Sequence, residues 1–579
     1  MQLILHQTMQ TIGDFETIFK DLEKAFTTNS KGPTLHLFPE LYLTGYPLQD
    51  LCLQRPFIDR YLSLIEKIDA WSKKLKQAQD IGLIGGLHYE FDQNGLPLNI
   101  ENVIYKLVPG QKLECLYTKR LLPNYDIFDE KKYFTSVNRP QIHTLFDKRI
   151  GVMICEDMWS STTHNEDPTE DLIKQISQSG PVEAIINISA SPFFVGKHEK
   201  RIARAKEISH LCKAPFYYVN RIGGEDEILF DGQSFAVNGD EVLDQAKRFI
   251  PQDLTVPLPI YQSSKKVESN KKDNTWESLF SPSFESGKKG KTNMRTFSEA
   301  ELAEMLEGLC FGFQQYAQKC GFSKFTIALS GGIDSALVLT IARLSLGENQ
   351  TIEAVYMPGL FSAGLSYDLS SELCKNLGVR LYSLPIKFFH SSIKNAFTSS
   401  FGQDMQGLAD ENIQSRLRGA LIYARSNQIG SMVINTSNKS EIAVGYSTQY
   451  GDSVGAISML GDLYKTEVYQ LSQYINKRYN NLLPVALIER APTAELRENQ
   501  KDQDSLPPYE ELDCILEGIL CYRLNLEQIV ELGFKREIVE KVYRLYKNSE
   551  YKRRQFCPII KVKSKSFGFG YRVPITHKY

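Results

Sequence analysis

The chain has 579 residues, too many for one hydrophobic core, so two domains are expected and three are possible. Hydrophobic residues make up 42% and charged residues 23%, as in an ordinary soluble globular protein. The net charge of −2 gives no electrostatic reason to expect nucleic acid or a membrane surface as partner. The ten cysteines show no regular spacing and no CxxC pair, which suits a reduced compartment with buried thiols better than a disulfide framework. The first residues, MQLILHQTMQTIGDFE, lack a basic region followed by a long apolar stretch, and no apolar run is long enough to span a bilayer. A cytoplasmic location is expected.

In chain order, short apolar runs bounded by turn residues predict strands over Met1 to Leu5, Thr34 to Phe38, Ile81 to Leu87, Asn102 to Leu107, Arg149 to Cys155, Ala184 to Ser189, Pro215 to Val219 and Ser234 to Val237. Helical periodicity falls between several of them, as in Phe57 to Ala78 and Lys197 to Lys213. Many strands with interspersed helices predict an α/β or α+β sandwich for the first part, residues 1–261. Residues 262–297 are rich in Lys, Ser, Asn and Gly and read as a polar linker. Residues 298–579 alternate more regularly. Phe325 to Leu329, Ile352 to Met357, Val379 to Pro385 and Met432 to Thr436 read as strands, with helices over Ala336 to Ser345, Asp368 to Leu377 and Glu411 to Ser426. This is the βαβ pattern of a doubly wound parallel sheet, in which ligands sit at the carboxyl ends of strands.

One such end is ALSGGIDS, Ala328 to Ser335. Gly331 and Gly332 allow a tight loop, and the following backbone N–H groups and helix N-terminus face an anion. Ser330 and Ser335 add hydroxyls. Asp334 is anomalous beside a phosphate unless a divalent cation lies between them, so the loop points to Mg²⁺ and a pyrophosphate-like group. The bland alternative is a Gly-Gly turn with an Asp/Ser helix cap.

The motif resembles the signature of the N-type ATP pyrophosphatases, and four further stretches resemble the NAD⁺ synthetases: ENIQSRLRG (from Glu411), NTSNKSEIAVGYSTQYGD (from Asn435), LGDLYKTEV (from Leu460) and SEYKRRQ (from Ser549). The resemblance implies an adenine-nucleotide α-hydrolase-like fold. It implies ATP contacts from Ala328, Leu329, Ser330, Gly331, Gly332, Ile333, Asp334, Ser335 and Thr436. It further implies deamido-NAD⁺ contacts from Asn412, Glu441 and Lys552, and Mg²⁺ ligands in Asp334 and Glu441. The tail departs from the family: QFCPIIKV stands where Q-x-P-P-G-V-K is usual.

Upstream, RIGVMICEDMW is an apolar strand ending in Cys155, Glu156 and Asp157. A thiol at a strand end can be an activated nucleophile, although a free cysteine is more commonly a core residue. LFPELYLTGYP places Glu40 after a strand, and YTKRLLPNYDIFDEKKYF places Lys119 in a proline-containing loop. Together with NISASPF and GGEDEILFDGQS these segments resemble the nitrilase superfamily, which implies an α-β-β-α sandwich and a Glu40–Lys119–Cys155 triad. Resemblance to its glutaminase members implies that Tyr125, Ser191 and Lys197 bind glutamine, with Glu130 and Glu156 in supporting polar roles.

A glutaminase front and an adenylating back imply an NAD⁺ synthetase that draws ammonia from glutamine. ATP would adenylate the nicotinate carboxylate of deamido-NAD⁺, and the ammonia would displace AMP. The family also implies at least a homodimer. Three rivals stand beside this reading. One is another ATP-pyrophosphatase amidotransferase, which usually carries a G-x-C-x-G-x-Q segment not found here. The others are a synthetase living on free ammonia and a non-enzymatic nucleotide sensor.

Overall fold

The computed structural model describes residues 1–27, 32–75, 80–159, 167–261, 284–286, 292–347 and 349–576. They form two compact units, Met1–Glu225 with Leu229–Ser281, and Asp226–Ile228 with Pro282–Tyr579. Of the stretch read as linker, residues 262–283 and 287–291 lie outside the described residues.

In the first unit the strands are β1 (Gln2–Gln7), β2 (Thr34–Leu37), β3 (Asp80–Phe91), β4 (Pro97–Leu107), β5 (Glu114–Thr118), β6 (Ile142–Leu145), β7 (Lys148–Ile154), β8 (Ala184–Ser189) and β9 (Phe216–Asn220). They are followed by β10 (Ile222–Glu225), β11 (Ile228–Asp231), β12 (Phe235–Asn238), β13 (Glu241–Gln245) and β14 (Gln252–Pro257). Two six-stranded sheets result, with orders β14-β1-β2-β3-β4-β5 and β13-β12-β9-β8-β7-β6. Their inner faces share one core. Leu3, Leu5, Leu35, Leu37 and Leu83 from one sheet meet Val152, Ile154, Ile186, Ile188 and Val219 from the other. The period of two in a strand sends alternate residues to the other face. Met153, Ile185, Phe216 and Tyr218 accordingly pack against helices α4 (Pro168–Ser179) and α5 (Lys197–Cys212). Helices α1 (Phe15–Thr27) and α2 (Arg55–Ser72) cover the first sheet, where Phe26 of α1 stacks on His36 of β2. The architecture is an α-β-β-α sandwich. Helix α2 stops at Ser72, short of the predicted Ala78, and residues 76–79 lie outside the described residues. A further short helix, α3 (Glu130–Tyr133), follows the Lys119 loop.

In the second unit, β15 (Phe284–Ser286) pairs antiparallel with β16 (Thr292–Met294), within the stretch expected to be linker. A parallel sheet follows, built from β17 (Lys324–Ala328), β18 (Thr351–Tyr356), β19 (Arg380–Ser383), β20 (Met432–Asn435) and β21 (Ile457–Ser458). Its order is β19-β18-β17-β20-β21, so the winding reverses between β17 and β20. The helices are α6 (Glu299–Lys319), α7 (Ile333–Ser345), α8 (Gly364–Leu377), α9 (Lys387–Phe401), α10 (Leu408–Ile429), α11 (Lys439–Val444), α12 (Lys465–Arg478), α13 (Val485–Glu489) and α14 (Tyr509–Leu520), with three more helices beyond, Leu526–Glu531, Arg536–Lys547 and Glu550–Arg553. The reversal opens a crevice at the carboxyl ends of β17 and β20, the place where such sheets take ligands. Among the described residues no helix is long and apolar enough to cross a membrane. All ten cysteines are free, though Cys320 is exposed where buried thiols were expected.

Candidate active sites

In the first unit, β7 carries Cys155 out of the core into a short 3₁₀ turn, Cys155–Met158. Cys155 has φ of +45°, a conformation that costs a non-glycine residue energy and that surrounding contacts must impose. Those contacts are visible. Asn187 on β8 accepts from the Cys155 N–H at 3.0 Å and returns an amide hydrogen bond to its carbonyl at 3.3 Å. Asp157 accepts from Ile154 N at 3.1 Å and from Tyr117 Oη at 2.9 Å with one oxygen. With the other it accepts from Arg120 N at 3.1 Å and Leu121 N at 2.8 Å. One buried carboxylate thus ties the cysteine turn to the segment that follows Lys119.

Lys119 is buried and donates to Glu40 Oε1 at 2.7 Å and to Glu130 Oε1 at 2.9 Å. Glu40 also accepts from Asn102 Nδ2 at 2.7 Å and from Ala190 N at 2.8 Å, while Tyr46 Oη donates to Glu130 at 2.9 Å. Burial pushes Lys119 down, but Glu130 and Glu40 more than offset it and hold the ammonium protonated. Burial lifts Glu130 to about 7 against the opposing pull of Lys119. The Cys155 thiol is pushed up by burial and by the charge of Glu40, while Lys119 favours its thiolate. The resting sulfur is therefore a thiol that must lose its proton in the reaction, and Glu40 is the carboxylate whose charge acts on it most strongly.

Around this cluster Tyr125 donates to Glu156 at 2.8 Å, Ser191 is buried with its N–H on Asn220 at 2.8 Å, and Lys197 opens α5 with its ammonium on the Pro192 carbonyl at 2.8 Å. A buried pair that the sequence did not disclose, Arg201 with Asp231 at 2.9 Å, stands behind them, and Arg201 also donates to the Ser191 carbonyl at 2.9 Å.

In the second unit, one pocket at the β17/β20 reversal is lined by Ala328 through Ser335, Thr436 and Glu441, together with side chains of α10 and the segment Arg490 to Leu496. Gly331 has φ of +81°, and a Cβ there would meet the Ser366 carbonyl oxygen at 2.5 Å, so the loop requires glycine at that point. The Ser335 hydroxyl braces the loop from within, accepting from Ser330 N at 3.2 Å and donating to the Gly332 carbonyl at 3.1 Å.

Asp334 accepts from Asn438 Nδ2 at 3.0 Å and is ion-paired with Lys465, whose ammonium lies 3.8 Å from Glu441. Lys465 was not foreseen, although it lies in a quoted motif. It reaches Asp334 across 131 residues of sequence, and no local pattern signals such a contact. Burial pushes Lys465 down, but Asp334 and Glu441 raise it further. Glu441 is lifted well above the ordinary carboxylate range by burial and then by the Asp334 charge. Two carboxyl groups thus share one lysine, and burial together with their mutual repulsion disfavours a negative charge on both at once. This donor set fits a hard divalent cation. Arg490, also unforeseen, places a guanidinium over the loop and donates to Ser366 Oγ at 2.8 Å.

Two expected dinucleotide contacts are not brought to this pocket. Asn412 on α10 accepts from Thr448 Oγ1 at 2.8 Å. Lys552 spends its ammonium on the carbonyls of Gly445 at 2.7 Å and Ser447 at 2.6 Å.

Comparison with known proteins falls into the same two halves. The family model for carbon-nitrogen hydrolase matches residues 5–165, and that for NAD synthase matches residues 305–556. A glutamine-dependent NAD(+) synthetase from Synechocystis is 34% identical over 100% of this chain and 99% of its own. One from Aquifex aeolicus is 33% identical over 100% of both. Among solved structures, a glutamine-dependent NAD+ synthetase from Acinetobacter baumannii, in complex with ADP, superposes with a TM-score of 0.69 at 29% identity, covering 99% of this chain and 98% of that one. One from Cytophaga hutchinsonii gives 0.76 at 18% identity over 100% and 98%, a likeness of fold.

Proposed function

The chain belongs to the glutamine-dependent NAD(+) synthetases, and from that membership we propose how its own residues divide the work. The enzyme amidates deamido-NAD⁺ to NAD⁺ with ATP, taking the nitrogen from glutamine and releasing AMP and pyrophosphate. The observation that carries the assignment of roles is the buried Glu40–Lys119–Glu130 cluster around Cys155, a glutaminase arrangement for which a synthetase living on free ammonia has no use.

In the first unit, Cys155 Sγ attacks the side-chain carboxamide carbon as Glu40 takes the thiol proton. Lys119 stabilises the developing oxyanion. The tetrahedral adduct collapses to a thioester, and ammonia leaves with the proton returned by Glu40. Water, deprotonated by Glu40, then releases glutamate and the thiol. Tyr125, Ser191 and Lys197 hold the glutamine.

In the second unit, the loop from Ala328 to Ser335 cradles the β and γ phosphates of ATP, and Thr436 lies beside the nucleotide. The nicotinate carboxylate attacks the α-phosphorus, and pyrophosphate leaves into the loop, with Lys465 beside it. Ammonia then attacks the acyl-adenylate and AMP departs. Asn412, Glu441 and Lys552 are assigned to deamido-NAD⁺; Lys552 must exchange its two carbonyl partners to reach it. Asp334 and Glu441 would hold Mg²⁺, which when bound supplies charge neutralisation for the polyphosphate. The enzyme is assigned to the cytoplasm and to an assembly of at least two copies.

The test is NAD⁺ formation from deamido-NAD⁺, ATP and Mg²⁺ with either glutamine or an ammonium salt. Cys155→Ala is expected to abolish the glutamine reaction and leave the ammonium reaction within about twofold of wild type, since the two chemistries use separate side chains. Persisting glutamine use in that variant would remove Cys155 from its role.

A further inference from the structure

Helix α14 is buried without interruption from Leu512 to Leu520. Asp513 stands in this run with 0% exposure. A carboxylate in such a place is costly unless its oxygens are satisfied. Its partners come from two other helices. Oδ1 accepts from Ser440 Oγ at 2.5 Å. Oδ2 accepts from Thr466 N at 2.9 Å and from Thr466 Oγ1 at 2.8 Å. Ser440 Oγ in turn accepts from Lys465 N at 2.9 Å.

These contacts sit one residue from the charges of the ATP pocket. Ser440 precedes Glu441, and Thr466 follows Lys465. The first N–H groups of a helix lack intrahelical partners. In α12 those of Lys465 and Thr466 are taken by Ser440 and Asp513, side chains from other helices. Meanwhile Glu467 of α12 itself accepts from Tyr464 N at 2.8 Å. Ser440 and Asp513 therefore cap the first turn of α12 from other helices, which a local cap would not do, and in doing so they fix α11 and α12 relative to each other. The same α14 places the Tyr509 ring under the Lys465 ammonium, 5.4 Å from ring centroid to Nζ.

We propose that Asp513, which does not line the pocket, is a positioning residue for the adenylation half-reaction, locking the turn that carries Glu441 to the turn that carries Lys465 so that both side chains keep their place beside Asp334 and the bound polyphosphate. The inference rests on the assignment of this pocket to ATP. Displacing a charged group by an ångström from its reacting partner costs up to about a hundredfold in rate. A residue that fixes two such groups should show that cost without touching substrate.

The test uses the full chain and three readouts: ammonium-dependent NAD⁺ formation with varied ATP, glutamine hydrolysis, and the thermal midpoint. Asp513→Asn keeps the side chain's size and gives up one of its two acceptor oxygens. It is expected to lower ammonium-dependent kcat by about tenfold to a hundredfold and to raise the KM for ATP, while glutamine hydrolysis and its KM stay at the wild-type values. Ser440→Ala, which breaks the link between α11 and α12 and leaves α14 intact, is expected to reproduce the rise in ATP KM. A kcat that falls only in proportion to the folded fraction, with ATP KM unchanged in both variants, would overturn the inference and leave Asp513 as a fold-holding residue. A wild-type enzyme that made no NAD⁺ from ammonium, ATP and deamido-NAD⁺ would instead remove the pocket assignment, and the inference with it.

Discussion

Lys197 shows how one buried charge sets a pH dependence. Among the described residues its ammonium donates to one carbonyl, at 2.8 Å, and burial with the neighbouring Arg201 pushes it down to about 7. The only anionic group on glutamine is its α-carboxylate, which the assigned role would bring to this ammonium. A carboxylate partner favours the charged form, so binding raises the lysine's pKa. The empty site then loses its proton as the pH rises through about 7, whereas the filled site keeps it. Glutamine binding must take up a proton above that point. The KM for glutamine is therefore expected to be flat below pH of about 7 and to rise above it, by at most about tenfold per pH unit. Lys197→Met should raise KM throughout and erase the inflection. Steady-state glutamine hydrolysis between about pH 6 and about pH 8.5, spanning the unperturbed histidine range and stopping short of the lysine one, checks this. A KM independent of pH in the wild type would exclude the role.

At the scale of elements, helix α11 is six residues long and is held at its start by Asn438. Asn438 Oδ1 accepts from Glu441 N at 3.0 Å, and its amide donates to Asp334 at 3.0 Å. One side chain both caps a helix and orients a carboxylate of the phosphate loop, and substitution separates the two. Asn438→Asp keeps the cap but sets a second buried carboxylate against Asp334, so kcat/KM for ATP should fall, and stability at neutral pH with it. Asn438→Ala loses the cap as well, about 1 kcal/mol, or about 2 °C in the thermal midpoint. Wild-type kinetics in Asn438→Asp would show the Asp334 contact to be idle. The sequence disclosed elements where a local period or terminus signal exists. Ala184–Ser189 is a fully buried apolar run and matches its predicted bounds. Helix α6 was not foreseen, although Ser298 and Glu301 form a capping box that could have announced it. The strand β5 carries only a short apolar run and is fixed by pairing with β4. At the sites, residues with motif context could be nominated, including Cys155, Asp334 and Glu441. Lys465, although inside a quoted motif, and Asp513 were not, because their meaning lies in partners 131 and 73 residues away.

At the scale of the whole molecule, helix α9 leaves most of its apolar side chains uncovered within one copy. Of its fifteen residues, the buried one is His390, while Phe388 is 70% and Phe401 68% exposed. A helix is normally held by packing an apolar face, because its intrinsic propensity is marginal in water at this length. Nearby in sequence, Leu360 and Leu408 are 68% and 73% exposed, and Phe361, Leu365, Tyr367 and Phe389 are also uncovered. Scattered exposed apolar side chains need no explanation, but from this run across consecutive elements of one unit we infer an association surface. A second copy of the same chain is the occupant consistent with the assembly assigned above. Sedimentation at micromolar concentration should give a mass of at least twice 65.9 kDa. Replacing Phe388 and Phe401 together by serine should shift it toward 65.9 kDa. Glutamine hydrolysis, whose residues all lie in the first unit, should survive that shift. A wild-type enzyme sedimenting as a single 65.9 kDa species would mean that α9 is held by its own propensity and by its few intrachain contacts, such as the His390–Asp410 pair at 2.9 Å.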